Sequence, residues 1–333
     1  MGSHVSQTMK MMQSNSAEDN LESFQNNGLI FNDKLIPLEI VCTILTYLDC
    51  ESLVRSRSVC KVWKFLIEQK IFKIKVREKY CTTLENSSKS VLHKLQWYIL
   101  CQILKAPFYK NLLLNECGQE SLKHWTVILS GGNRWKIEPT PQGSDALPDN
   151  ELEFACHKSC FATSYMECRK QQIIELKNHG FTNSIMDHLQ PEIHVSEWYA
   201  GRFDCGCKYE LHAHLLDSNK KIIDSLSFIT QIIIPQWEGR CWNKIKHVFS
   251  NYGIGVRYIM FVHSGVDTQY WNGHYGSKMS GGRVYLEFPQ MFPSQEQSED
   301  EGDEDEDESG PDLGGDRLVR PRQQFSDIPR HLW

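Results

Sequence analysis

Between Leu35 and Leu66 the chain carries more apolar surface at helical spacing than so short a stretch can bury within itself. It reads Leu35-Ile36-Pro37-Leu38-Glu39-Ile40, then Ile44, Leu45 and Leu48, then Leu53, Val54, Val59, Trp63 and Leu66. Ile40, Val41, Ile44, Leu45 and Leu48 recur at i, i+1, i+4, i+5 and i+8, one stripe of a helix. Pro37 suits its first position, where the missing N–H costs nothing. Asp49 and Cys50 interrupt the stripe, so a second helix is expected from near Glu51. A third carries Val59, Val62, Trp63 and Leu66, with Phe72, Ile74, Val76 and Tyr80 extending it. Three helices of about thirty-five residues are too few to close a core of their own. Part of this apolar surface therefore faces another body.

The rest of the chain reads as distinct segments. Residues 1–28, rich in Ser, Asn, Gln and Met, are expected to be a disordered arm. The helical unit spans 29–75, and a helical linker spans 76–108. Its stretch from Lys89 to Lys105 puts Val91, Leu92, Leu95, Tyr98, Ile99 and Ile103 on one face, like a stalk, and Ala106-Pro107 ends it. Over 109–289 the period shifts towards 2. Gln171–Leu176, Ile193–Trp198, Tyr209–Leu216, Ser227–Ile234, Val256–Val262 and Val284–Phe288 read as strands, and Phe181–Leu189 as a short edge helix. Tyr209, Leu211, Ala213 and Leu215 alternate with Glu210, His212 and His214, as on a half-buried strand. Many strands with glycine-containing turns argue for an antiparallel β-sandwich, and the chain as a whole for an α+β multidomain protein. Residues 290–333 form an acidic tail, in which positions 299–308 are acidic except Gly302. Like charges at that density cannot pack, so the tail is expected to be disordered and solvating.

Bulk properties exclude several functions. The 333 residues carry a net charge of −6, but 13 acidic and 4 basic residues from Ser294 onward give the tail −9, leaving the body near +3. A near-balanced body without a basic stripe excludes a nucleic-acid footprint. No apolar run is long enough to span a bilayer, and residues 1–28 have no signal-peptide centre, so a soluble cytoplasmic or nuclear protein is expected, without membrane insertion. In that reducing setting the twelve cysteines are expected to be free thiols. Cys205-Gly206-Cys207 is too tight for a zinc knuckle, and Cys156 with Cys160 beside His157 lacks a second pair, so no metal is assigned. No nucleophile elbow, Walker loop or His-Glu-x-x-His helix is present, and no cofactor or catalytic residue is assigned.

The candidate binding surface is aromatic. Asp267-Thr268-Gln269-Tyr270-Trp271-Asn272-Gly273-His274-Tyr275-Gly276 reads as a loop between strands, and Glu197-Trp198-Tyr199-Ala200-Gly201-Arg202-Phe203-Asp204 forms a second cluster. Aromatic faces with a few polar groups suit the apolar face of a sugar, and equally a sandwich core. The residues alone leave both open.

Two resemblances bear on these features. Ile36-Pro37-Leu38-Glu39-Ile40, Ile44-Leu45-Thr46-Tyr47-Leu48, Ser52-Leu53 and Val59-Cys60-Lys61-Val62-Trp63 resemble the F-box, with Ser52 in place of a common Asp. That resemblance implies docking onto the Skp adaptor of a cullin–RING ubiquitin ligase, through Leu35, Ile36, Pro37, Ile40, Ile44, Leu48, Leu53, Val59 and Trp63. From about Asn111 to Phe288 the chain is similar to the F-box-associated domain of the sugar-recognising F-box proteins. The matching residues include Asn115-x-Cys117-Gly118, Gly131-Gly132 with Trp135, Phe161-Ala162-x-Ser164-Tyr165, Trp198-Tyr199-x-Gly201-Arg202-x-Asp204, Tyr252-Gly253-x-Gly255-Val256-Arg257 and Tyr270-Trp271-x-Gly273.

This second resemblance implies a jelly-roll-like β-sandwich that grips the inner chitobiose of high-mannose N-glycans on glycoproteins bound for ER-associated degradation. By position, the carbohydrate contacts are Arg202, Phe203, Asp204, Tyr270 and Trp271, with Tyr165 lining the same pocket. Three residues depart from the family pattern: Asn272 stands for Lys, His274 for a second Trp, and Phe203 for a small polar residue. The alternative is a ligase receptor whose sandwich binds a non-glycosylated protein substrate. Either way the chain itself is expected to be a non-catalytic receptor subunit.

Overall fold

Pro37 takes φ −54° and ψ 143° and caps the first helix, α1 (Leu38–Thr46), standing one residue before the helix rather than inside it. Its extended ψ is the reason: the helical turn begins only at Leu38. The computed structural model describes residues 28–80, 92 and 94–289. The arm over 1–27, the start of the linker over 81–91 and the tail from 290 lie outside the described residues, together with the expectations made for them.

A two-residue hairpin pairs β1 (Ile30–Phe31) with β2 (Lys34–Leu35) ahead of α1. Asp49 then caps α2 (Cys50–Ser56), its carboxylate accepting from Ser52 N at 2.8 Å. The Cys60 thiol caps α3 (Lys61–Leu66) at the amide of Trp63. A widened π turn over Ile67–Ile71 leads into α4 (Phe72–Tyr80). Val41, Cys42, Leu45, Leu53, Val62, Leu66, Ile67, Ile71, Phe72 and Val76 are buried as one face of this unit.

The inner face leans on its own chain. Helix α5 (Trp97–Lys105) buries Ile99, Leu100, Cys101 and Ile103, so it is not a free stalk but a wedge. Phe72 stacks on Trp97 at 6.0 Å, and the Arg57 guanidinium lies 3.5 Å over the same indole. Tyr80 stacks flat on Phe288 at 4.9 Å and donates its hydroxyl to Ile103 O at 3.1 Å. A single apolar core therefore runs from the helical unit into the sandwich.

The sandwich has two five-stranded antiparallel sheets. Its strands are β3 (Thr126–Ser130), β4 (Lys136–Glu138), β5 (Cys160–Ala162), β6 (Cys168–Glu175), β7 (Glu192–Ala200), β8 (Cys207–Leu216), β9 (Ile222–Ile234), β10 (Asn243–Phe249), β11 (Tyr258–Asp267) and β12 (Lys278–Glu287). One sheet runs β10-β7-β12-β5-β4, the other β3-β6-β11-β8-β9. The alternation read on β8 holds as far as Ala213, with Tyr209, Leu211 and Ala213 buried between half-buried Lys208, Glu210 and His212, but fails at His214, which is buried beside Leu215 and Leu216. Strands β3, β4, β5 and β10 were not read from the sequence: three are five residues or shorter, and β3 exposes every side chain. The edge helix is α6 (Asn183–His188). Among the described residues no helix is long and apolar enough to cross a membrane.

Candidate functional site

Among the described residues, the outer face of the helical unit is exposed. Ile40 and Ile44 are each 48% exposed, one turn apart on α1, and Leu35, Pro37, Tyr47 and Val59 are exposed beside them. Ile36, Leu48 and Trp63 are half-buried. Leu53 departs from the expected docking set: it is wholly buried, because on α2 its position points inward, and it supports the face without forming it. The hairpin adds Ile30 and Phe31, which the sequence reading missed. Phe31 stacks on Trp63 at 6.3 Å, and the Trp63 indole donates to Gly28 O at 2.8 Å.

At one end of the sandwich, strand-connecting loops gather the aromatic clusters. The loop after β7 carries Arg202, whose Nε and Nη2 donate to the two oxygens of Asp204 at 2.9 and 3.0 Å. This fork holds the Asp204 carboxyl below its usual range. Each oxygen keeps acceptor capacity, since one N–H uses only one lone pair. The same guanidinium lies 4.5 Å over Tyr275, and Tyr275 meets Trp271 edge-on at 5.6 Å. Arg202, Asp204, Tyr275 and Trp271 thus form a linked series across two loops.

The loop between β11 and β12 is held from beneath. Asp267 Oδ1 accepts from Gln269 N at 3.0 Å and from Tyr270 N at 2.5 Å. Among the described residues its buried Oδ2 has no hydrogen-bond partner, and burial pushes the carboxyl pKa up. Asn133 Oδ1 accepts from Gly273 N at 2.7 Å. The Ser164 hydroxyl donates to Gly273 O at 2.7 Å and accepts from Asn133 N at 2.8 Å. Gly132, at φ +58°, has no room for a Cβ, which would lie 2.7 Å from Ser164 Oγ and 2.9 Å from the Tyr165 ring. His274 sits on Asn133 O at 3.2 Å, its imidazole pKa lowered by burial.

On this support Tyr270 stands 78% exposed and Trp271 39% exposed; the Tyr270 backbone is held by Asp267 and the Trp271 ring packs against Tyr275. Tyr165 packs at the Gly132 junction, and Phe203 turns instead towards Trp237, 6.3 Å away. Asn133, Ser164, Asp267 and Trp237 were missed as contributors. Only Trp237 had a readable signal, an aromatic residue between Pro235 and Gly239. Cys205 and Cys207 are buried beside these loops, their thiols pushed up by burial to about 11 and about 12. The concavity lined by Leu176, Phe181, Met186 and Val256 lies at the other end, where β11 begins.

Comparison with known proteins covers both regions. The F-box domain family matches residues 34–75, and the F-box associated region matches residues 103–286. F-box only protein 6 of Rattus norvegicus is 34% identical over 255 residues, 75% of this chain and 85% of that protein. F-box only protein 44 of Homo sapiens is 34% identical over 259 residues, 76% of this chain and 96% of that protein. F-box only protein 2 of Bos taurus is 31% identical over 280 residues, 83% and 90% respectively. An F-box is the segment through which substrate adaptors join the Skp–cullin core of a ubiquitin ligase. With an exposed helical face at one end and a matched F-box associated sandwich behind it, the chain belongs to the F-box only proteins that carry a C-terminal F-box associated domain, the sugar-recognising F-box family.

Proposed function

We propose that the chain is the substrate-recognition subunit of a Skp–cullin–F-box ligase whose sandwich takes the chitobiose core of high-mannose N-glycans on glycoproteins destined for ER-associated degradation. The observation that carries this reading is the exposed Tyr270–Trp271 pair, held rigidly by Asp267, Asn133 and Ser164. A ring face offered to solvent on a preorganised loop suits the C–H face of a pyranose. Asp204 supplies acceptor capacity for an N-acetyl N–H or a hydroxyl, and Arg202 orients it.

The helical face, through Leu35, Ile36, Pro37, Ile40, Ile44, Leu48, Val59 and Trp63, holds the Skp adaptor, with Leu53 behind it. The chain does no chemistry itself. It tethers the glycoprotein near the RING-bound conjugating enzyme in the cytoplasm and raises its effective concentration there. Capture of a denatured high-mannose glycoprotein by the full chain tests this. Capture is lost when the glycan is removed by endoglycosidase, and lost again in Tyr270→Ala. Capture indifferent to both changes would instead establish a receptor for non-glycosylated protein.

A further inference from the structure

We propose that Trp237, with Phe203, forms a second stacking ledge for a pyranose ring, so that the glycan site continues past the chitobiose to the mannose residues attached to it. The proposal rests on the glycan reading above. Trp237 is 67% exposed and Phe203 45%, and their ring planes meet at 49°. Two large apolar rings left side by side in water forgo the stabilisation that burial would give them.

Trp237 is also held in an unfavourable backbone state. Its φ is +77°, in the left-handed region that a bulky side chain enters at a cost. Most of its surface is in water, so packing of the indole does not account for that conformation. Hydrogen bonds around it do: Gln236 Nε2 donates to Asp204 O at 2.9 Å, Gly201 N to Gly239 O at 2.8 Å, and Glu238 N to Pro235 O at 3.2 Å. A Cβ on Gly239 would lie 2.9 Å from Arg202 O, so this loop is locked by backbone contact to the loop bearing Arg202, Phe203 and Asp204. The ledge is built onto the candidate chitobiose site.

The surroundings favour a sugar over an extended polypeptide. A peptide adding to these loops needs free main-chain groups, but the amides of Gly201, Phe203, Glu238 and Thr268 all donate within the protein. What remains outward is an exposed indole, followed in the chain by exposed Glu238 and by Arg240, which is ion-paired with Asp145. A pyranose has the matching pattern, an apolar C–H face with hydroxyls at its edge.

Calorimetric titration of the full chain with free chitobiose and with the trimannosyl-chitobiose pentasaccharide tests the ledge. In Trp237→Ala the ratio of pentasaccharide to chitobiose affinity falls about fivefold relative to the unsubstituted chain, and Trp237→Tyr, which keeps a ring, restores most of it. In Tyr270→Ala both affinities fall together. An unchanged ratio in Trp237→Ala overturns the ledge alone. So does a loss seen only with a glycopeptide and not with the free pentasaccharide, which would make the ledge a polypeptide contact. An unsubstituted chain that binds neither sugar overturns the glycan reading and the ledge with it.

Discussion

Glu197 on β7 accepts the Nδ1 proton of His263 on β11 at 2.7 Å, joining the two sheets through the middle of the sandwich. The other Glu197 oxygen accepts the Tyr209 hydroxyl at 2.5 Å. With its proton at Nδ1, His263 keeps Nε2 as an acceptor for the Lys170 amine, whose pKa burial holds well below the usual lysine range and which lies 3.5 Å over Trp125 and 3.2 Å over Phe161. Burial lowers the His263 pKa to about 4, against the pull of Glu197. The unfolded imidazole protonates near pH 6.5. Between those values the unfolded chain binds the extra proton, so this contribution is full above about pH 6.5 and is lost as pH falls towards 4. The loss is on the order of 3 kcal/mol. Denaturant unfolding at pH 7 and pH 4.5 checks this: His263→Gln shows a smaller drop than the unsubstituted chain. Equal drops in both would remove His263 as the source.

The helical unit separates surface from core in a way binding and stability assays can read. Ile40→Asp and Ile44→Asp place charge on an already exposed face. They leave thermal unfolding within a degree or two and abolish recovery of the Skp adaptor in co-purification. Leu53→Ala acts oppositely, costing about 2–5 kcal/mol through the cavity it opens. Adaptor recovery in that variant falls only in proportion to the folded fraction. Full adaptor recovery from both Ile variants would move the docking surface elsewhere.

These contrasts show where sequence periodicity carries information. The stripe on α1 was legible as one apolar face, but spacing alone could not divide it: Val41 and Leu45 are buried while Ile40 and Ile44 are exposed. Helix α2 has seven residues, too few for spacing alone to tell Leu53 from a surface position. The core of β8 was readable by alternation, whereas β5 buries all three of its residues and shows no period. The Lys170–His263–Glu197 series joins residues 93 and 66 positions apart, a proximity that only the finished topology creates. At the loop end Tyr270 and Trp271 were visible as aromatics among glycines. Asp267, Asn133 and Ser164 hold them through backbone groups, and no residue type marks that role in advance.

Asp267 positions the backbone that carries Tyr270. Asp267→Ala leaves the amides of Gln269 and Tyr270 without their acceptor, and chitobiose affinity falls about tenfold as the aromatic pair loses its fixed orientation. Asp267→Asn retains an acceptor oxygen at Oδ1 and removes only the charge, and Oδ2 has no partner among the described residues. Its affinity stays within about threefold of the unsubstituted chain. A purely structural carboxylate would make both variants lose thermal stability and affinity in step, which melting curves measured beside the titrations would reveal.

Tyr80 is one of the contacts that join the helical unit to the sandwich. Its ring lies flat on Phe288 just past the last strand, its edge meets Phe108 at 5.3 Å, and its hydroxyl donates to the C-terminal turn of α5. Burial raises its pKa to about 12, so the phenol stays a donor throughout the physiological range. Tyr80→Ala removes the stack and the hydrogen bond at a cost of about 2 kcal/mol but touches neither binding face. Adaptor recovery and chitobiose affinity remain near those of the unsubstituted chain, while reconstituted ubiquitination of a captured glycoprotein slows severalfold, because a loose hinge spreads the substrate over more positions around the conjugating enzyme. Tyr80→Phe keeps the stack and recovers most of the rate. Ubiquitination in Tyr80→Ala at the unsubstituted rate, with both binding steps intact, would show that the ligase needs only a tether and not a rigid one.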